Sequence, residues 1–480
     1  MLNILTSIWS ILLILLICGT VLVIMSSNSD SGKKVSWILV IALLPVLGII
    51  LYIVFGLDMR DPQYFLKKHK VFFDTFEKNA DRRTRHLLFG KETEMKIREG
   101  YRELARLLSV GNGTTVCEDN RIEVITSGKR KFDALANDIL NAKHHIHMEY
   151  FYFKKDDGSK RIKELLMQKA REGVKVRFIY ENIANIKISA RYYYEMKKAG
   201  VEVVKFTNPK FSIFRLSAQL NYRDHRKLVV IDGNIGYTGG MNISDDYFLR
   251  WRDTHLRITG NAVSSLQYSF MNSFITSGGR IDEDFSPYFP EHEAFEEGDR
   301  LVQIVPDEPD YQWPVLHMGA VWTAQHASKY LYIQTPYFVP PEPLLLALKS
   351  TALKGVDVRI MIPAKADLFF MGPANRSYFK ECLEAGIKIY EKTGRFIHSK
   401  TIVSDDYLSI IGSANMDYRS LELNYEINTY IYDENMATIN REIFLKDQEQ
   451  CRQIVLEEWN RRPWYRKTIQ AIMKLFSPLL

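Results

Sequence analysis

Two stretches of the chain carry the same reactive side chains in the same order. NYRDHRKLVVIDGNIGYTGGMN, from Asn221 to Asn242, sets His225 and Lys227 two residues apart at the head of an apolar run that Asp232 closes. FIHSKTIVSDDYLSIIGSANMDYRS repeats the arrangement with His398, Lys400 and Asp405. Both read H-x-K-x-x-x-x-D, and each is followed by a Gly-x-x-Asn, Gly239 to Asn242 and Gly412 to Asn415. One constant offset relates these pairs and also carries Asp253 in WRDTH to Glu426 in LNYEIN, so an acid meets an acid.

The chemistry follows from the residue types. Residues two apart on a strand share a face, so each histidine projects beside its lysine. Asp232 and Asp405 stand an odd number of residues further on and face away; within the motif they are read as anchors of a turn or a lysine. If the two copies meet across a pseudo-twofold, one cleft holds two imidazoles, two ammoniums and the amides of Asn242 and Asn415, which suits a phosphate. The imidazoles, with unperturbed pKa near 6.5, can divide the roles of nucleophile and general acid, and Asp253 and Glu426 would each orient one by accepting its second N–H. Gly240 opposite Ser413 is the visible asymmetry, and it places a hydroxyl contact to phosphate on one side only.

Nothing in the chain asks for a cofactor or a metal. There is no G-x-x-x-x-G-K-[ST] nucleotide loop, the four cysteines lie far apart, and His144, His145 and His147 sit together on one strand without a cysteine set.

Two larger repeats must position these groups. EGVKVRFIY echoes KGVDVRIMI, KAGVEVVKF echoes EAGIKIYEK, and HHIHMEYFYF echoes KYLYIQTPYF. Each half reads as strand, helix, strand, helix and then the H-x-K strand, an α/β lobe with a parallel or mixed sheet. The expected division is a membrane hairpin over 1–60, a basic juxtamembrane linker over 61–110, and lobes over 111–295 and 296–480.

The front of the chain is apolar. No charge occurs from Asn3 to Met25, nor in VSWILVIALLPVLGIILYIVFGL from Val35 to Leu57, where Pro45 predicts a kink. At about 1.5 Å per residue each segment can cross roughly 30 Å of hydrocarbon. The expectation is a two-helix transmembrane hairpin, with the lysine count leaving both of its ends and the body cytoplasmic at the cell membrane. The tail from Trp464 to Phe476 reads equally as an interfacial helix or as one docked on the second lobe. The formal charge of +7 is not gathered around aromatic platforms, which argues against nucleic acid as a partner.

The duplicated motif with its downstream Gly-x-x-Asn resembles the phospholipase D superfamily. The hairpin ending PVLGIILYIVFG, HRKLVVIDGNIGYTGGMNISDDY, WRDTH, QTPYFVP and GSANMDYRSLELNYEIN are similar to the bacterial cardiolipin synthases within it, over essentially the whole chain. The resemblance implies a phosphatidyltransferase acting on two phosphatidylglycerol molecules through a phosphatidyl-histidine, with His225 as nucleophile and His398 as acid and base. Glu149 and Gln334, matched at the ends of equivalent strands, are expected to line the cleft and select the glycerol headgroup. A hydrolytic phospholipase D, another phosphatidyltransferase and an inactive membrane scaffold are the alternatives.

Overall fold

The computed structural model describes residues 2–27, 31–56, 62–90, 92–206, 221–281, 284–292, 300–309 and 311–479. Among them two mixed sheets dominate. The first has the order Asn120–Ile125, His255–Gly260, Ile235–Gly239, Lys227–Ile231, His145–Tyr150, Lys175–Glu181, Glu202–Phe206. The second runs Val116–Cys117, Leu301–Asp307, Glu426–Tyr432, Leu408–Gly412, Thr401–Ser404, Tyr330–Gln334, Asp357–Pro363, Lys388–Lys392, Cys451–Ile454. From His255–Gly260 to Glu202–Phe206 the first sheet matches the second strand for strand, from Glu426–Tyr432 to Lys388–Lys392. The repeats seen in the sequence are therefore equivalent strands in space.

The motif strands are central. KLVVI and TIVS are buried at every position, as continuous apolar runs are when both faces of a sheet are covered. The helix Ala262–Thr276 packs on strands of the first sheet and also on Leu301–Asp307 of the second. One core cluster accordingly joins Leu228, Val230 and Ile258 to Ile304, Ile411 and Ile431. The lobes share a core.

Asp232 and Asp405 lie at the far end of the motif strands from the histidines, and both hold a left-handed backbone (φ 53° and 54°). The Asp232 carboxylate accepts the backbone N–H groups of Lys143, His144 and His145 at 2.8 to 2.9 Å. Asp405 does the same for Ser328, Lys329 and Tyr330 at 2.7 to 3.0 Å. Each ties the start of the neighbouring strand to the turn after its own.

Before the lobes, the helix Glu99–Asn112 packs on Val315–His326, and Val116–Cys117 pairs with Leu301–Asp307. These residues join the second sheet although they precede the first in sequence. Phe72 and Phe76, in the helix Pro62–Asn79, are buried against Tyr268, so the basic stretch is a packed arm.

Among the described residues one helix, over Ser7–Ser26, is long and apolar enough to cross a membrane. The second apolar segment, expected as another span, is not one helix. Ser31–Leu43 stops at Leu44 (φ −135°, ψ 73°), and Pro45–Leu51 follows, because the residue before a proline is driven out of helical geometry. The two pieces fold back on each other. A Cβ on Gly48 would stand 2.8 Å from the Ile41 Cα, and the Trp37 and Tyr52 rings meet at 5.4 Å. Both ends of this segment touch the body: Lys33 pairs with Glu422, Ser36 Oγ donates to the Leu475 carbonyl at 2.7 Å, and Asn221 Nδ2 donates to the Phe55 carbonyl at 3.0 Å. The C-terminal helix Trp464–Phe476 is docked on the second lobe, against the helix Met371–Ser377, while Trp464, Ile469 and Ile472 stay exposed.

Candidate active site

The two motif strands end facing each other, and the backbone stitches them together. The His225 N–H donates to the Tyr425 carbonyl at 2.9 Å, and the His398 N–H donates to the Arg252 carbonyl at 2.7 Å. Tyr425 precedes Glu426 and Arg252 precedes Asp253, so each histidine is carried to the acid of the opposite lobe. His225 Nδ1 donates to Glu426 at 2.9 Å, and His398 Nδ1 donates to Asp253 at 2.7 Å. The acids expected beside the imidazoles are there, but the pairing is crossed. With Nδ1 engaged, Nε2 of each ring is the nitrogen left for the cavity, of about 510 Å³, that both histidines line.

Lys227 and Lys400 are buried behind the rings. Lys227 Nζ donates to the His225 carbonyl at 2.5 Å, and Lys400 Nζ bonds the His398 carbonyl and stands 2.7 Å from His398 Nδ1. Burial, only partly offset by nearby carboxylates, pushes Lys227 down to about 7 and Lys400 to about 8. Burial likewise pushes His225 down to about 4 despite Glu426, and His398 falls well below the imidazole range through burial and the two ammoniums.

The carboxylates are unequal. Burial works against the Glu426 charge, but His225, Lys227 and the Ser413 hydroxyl hold its pKa below the ordinary range. Burial pushes Asp253 up to about 6 against the pull of Lys400, the Thr254 amide and Lys227. The Gly240 and Ser413 difference explains part of this. Ser413 Oγ donates to Glu426, so the hydroxyl expected on phosphate orients a carboxylate instead. At Gly240 there is no room for a side chain, since a Cβ would lie 2.2 Å from Asp253 Oδ1.

Asn242 and Asn415 line the cavity as expected. Asn242 also braces the site, accepting from the Tyr152 N–H at 3.1 Å and donating to Tyr247 Oη at 2.9 Å. Glu149 and Gln334 do not line it. Glu149 is fully buried on Arg226 at 3.1 Å, and Gln334 donates to Asp447 at 3.0 Å, so neither meets a headgroup. His145 and His147 are bridged by Gln267, at 3.1 and 2.7 Å. Among the described residues no group of His, Cys, Asp and Glu is arranged to hold a metal ion.

The rest of the wall was not visible in the repeat. Arg223, Arg419, Trp251, Tyr337 and Asp367 line it as well. The motif offset carries Arg223 to Phe396, so duplication could not signal it. Phe55, from the folded apolar segment, and Leu479 also line the cavity.

Two lobes that exchange acids across paired H-x-K strands define a phospholipase D-type site. Residues 135–274 and 322–448 match the family described as cardiolipin synthase, PLD-like domain, and residues 7–56 match a phospholipase D-nuclease N-terminal family. The chain is 36% identical to a cardiolipin synthase of Halalkalibacterium halodurans, over 98% of this chain and 94% of that one. It is also 36% identical to the major cardiolipin synthase ClsA of Bacillus subtilis, over 100% and 99%. A phosphatidylserine synthase structure from Haemophilus influenzae superposes with a TM-score of 0.57 at 15% identity, covering 78% of this chain and 99% of that one, a likeness of fold. The chain belongs to the cardiolipin synthase family and is a phosphatidyltransferase of the phospholipase D type.

Proposed function

We propose that His225 is the nucleophile and His398 the acid and base of a transfer that joins two phosphatidylglycerol molecules into cardiolipin and glycerol. The observation that carries this order is the inequality of the two carboxylates. Burial keeps His225 a neutral imidazole, and Glu426, held ionised, takes its Nδ1–H so that the Nε2 lone pair faces the cavity, as a nucleophile requires. Asp253, pushed up to about 6, lets the Asp253–His398 pair carry a proton near neutral pH, as a departing alkoxide requires.

His225 Nε2 bonds to the phosphorus of the first lipid as the P–O bond to its glycerol breaks, and His398 gives that oxygen its proton. A primary hydroxyl of the second lipid then gives its proton to His398 while its oxygen bonds to phosphorus and the P–N bond breaks. One phosphodiester replaces another, so no nucleotide is needed. Lys227 and Lys400 balance the charge that gathers on the phosphoryl oxygens, and Asn242 and Asn415 position them.

The membrane arrangement proposed with this is one crossing by the first helix, followed by a second segment that dips into the bilayer and returns to the body. Lys33 and Lys34 then lie on the side of the body, which the positive-inside rule makes cytoplasmic. Phe55 and Leu479 bring the bilayer side of the chain to the cavity wall, where a lipid alcohol meets the site in preference to water. In phosphatidylglycerol vesicles the full chain should give cardiolipin and glycerol in near-equal amounts with little phosphatidic acid. Phosphatidic acid as the main product would make water the acceptor and the protein a phospholipase.

A further inference from the structure

The cavity wall contains a carboxylate that phosphate chemistry does not explain. Asp367 is exposed at the mouth, and Tyr337 Oη donates to its Oδ2 at 2.7 Å. Its Oδ1 accepts the Leu368 N–H at 2.9 Å, which fixes the carboxylate plane. Its charge is close enough to help Lys400 keep a proton. A negative charge at this place repels an incoming phosphodiester, so its presence calls for a group that it attracts.

That group is not a phosphate, and the cavity disfavours an ammonium, since Lys227, Lys400, Arg223 and Arg419 all face or back it. Neutral hydroxyls suit it. Asp367 has lone pairs to accept from two vicinal hydroxyls, and Tyr337 Oη, with its hydrogen directed at Asp367, can accept another. Trp251, whose ring lies 4.6 Å from the His398 ring, also lines the cavity and offers an apolar face to the carbons of a polyol.

Location decides which part of the substrate is read. Asp367 acts on Lys400, beside His398, whereas Arg223 lies over Phe151, whose ring is 4.9 Å from that of His225, and Arg419 donates to the nearby Asn221 carbonyl. In an in-line exchange at phosphorus with His225 on one side, both the departing glycerol and the attacking hydroxyl lie on the His398 side.

We propose that Asp367 and Tyr337 form a diol-binding subsite that recognises the glycerol of phosphatidylglycerol, first as leaving group and then as acceptor. This rests on the assignment of His398 as acid and base. A site that accepts from substrate hydroxyls discriminates against an analogue lacking them.

The test compares two donors in mixed vesicles, phosphatidylglycerol and phosphatidylmethanol, by kcat/KM for headgroup release. The unsubstituted chain should prefer phosphatidylglycerol, and Asp367→Ala should lower the ratio of the two values by about tenfold, with Tyr337→Phe lowering it less. Asp367 is exposed, so the fold should tolerate the change, and equal melting temperatures verify that. An unchanged ratio overturns the subsite, even if both rates fall. Failure of the underlying reading is distinct: a phosphatidyl group trapped on His398 instead of His225 would reverse the two roles, whatever the ratio.

Discussion

His225 and Glu426 belong to different lobes, yet the His225 Nδ1 donates to the Glu426 carboxylate at 2.9 Å, and Asp253 returns the arrangement to His398 at 2.7 Å. Neither lobe owns a complete histidine and acid unit. The backbone bonds from His225 to Tyr425 and from His398 to Arg252 set the register of the exchange, so the distance from acid to imidazole depends on how the lobes dock.

Removing either imidazole should stop transfer. His225→Ala and His398→Ala should each lower kcat by several orders of magnitude, and Glu426→Gln or Asp253→Asn by about 10²–10⁴-fold with the fold kept. Gly240→Ala should resemble Asp253→Asn, because its methyl group displaces that carboxylate. Cardiolipin formation from labelled phosphatidylglycerol reads all five, and near-normal turnover in Glu426→Gln would remove the orienting role.

The motif aspartates should act through stability. Asp232→Ala or Asp405→Ala takes the acceptor from three strand-initiating N–H groups and should cost about 2–3 kcal/mol. Thermal melting reads the loss, and the activity of the molecules that remain folded should be largely retained. An equal loss of turnover at an unchanged melting temperature would place these residues in the chemistry.

The depressed lysines give a pH dependence with a definite sign. Lys227 (about 7) and Lys400 (about 8) are ammoniums below these values and lose charge as pH rises through them. An anionic lipid binds the charged form, so kcat/KM should fall as pH rises through 7 to 8, while the limb in kcat lies higher because bound phosphodiester strengthens proton binding. The unfolded chain holds the Lys227 proton up to its ordinary 10.5. Between about 7 and 10.5 it therefore binds more protons than the fold, and this group makes stability rise with pH there. A flat kcat/KM profile from pH 6.5 to 9 would contradict the charge assignment.

The membrane arrangement is checked by labelling. A cysteine at Ser31 should be protected from an impermeant reagent added to intact cells, and one at Asn3 should react. A two-span hairpin predicts the reverse at both positions, so one experiment separates the two topologies.

The chemistry was legible because the chain states it twice. His225, Lys227, Asn242 and Asp253 each have a partner at one offset, and odd spacing alone separated Asp232 from the reactive face. The crossing was not legible, since an offset aligns equivalent residues without telling which lobe an acid serves. Glu149 and Gln334 misled for a related reason: residues on both faces of these strands are buried, so matched strand ends do not imply a shared cleft. Pro45 marked the break in the second apolar segment. The fold-back also needed Gly48 against Ile41 and Trp37 on Tyr52, contacts between the two short helices on either side of the break. Asp367 and Arg223 have no counterpart of the same type in the other repeat, and their place in the wall emerged only from the folded chain.

The short strand Val116–Cys117 sets an order of events during synthesis. It leaves the ribosome before any strand of the first sheet, but its hydrogen-bonding partner, Leu301–Asp307, comes after all of them. The helix Glu99–Asn112 similarly waits for Val315–His326. The nascent chain must therefore carry an apolar helix face and an unpaired strand past the folding of its first lobe, an interval in which a chaperone or the membrane surface can shelter them. Closing that long-range contact late means that a chain cut before Leu301 is left with an exposed, aggregation-prone segment near its start, so loss of the second lobe is registered ahead of the first.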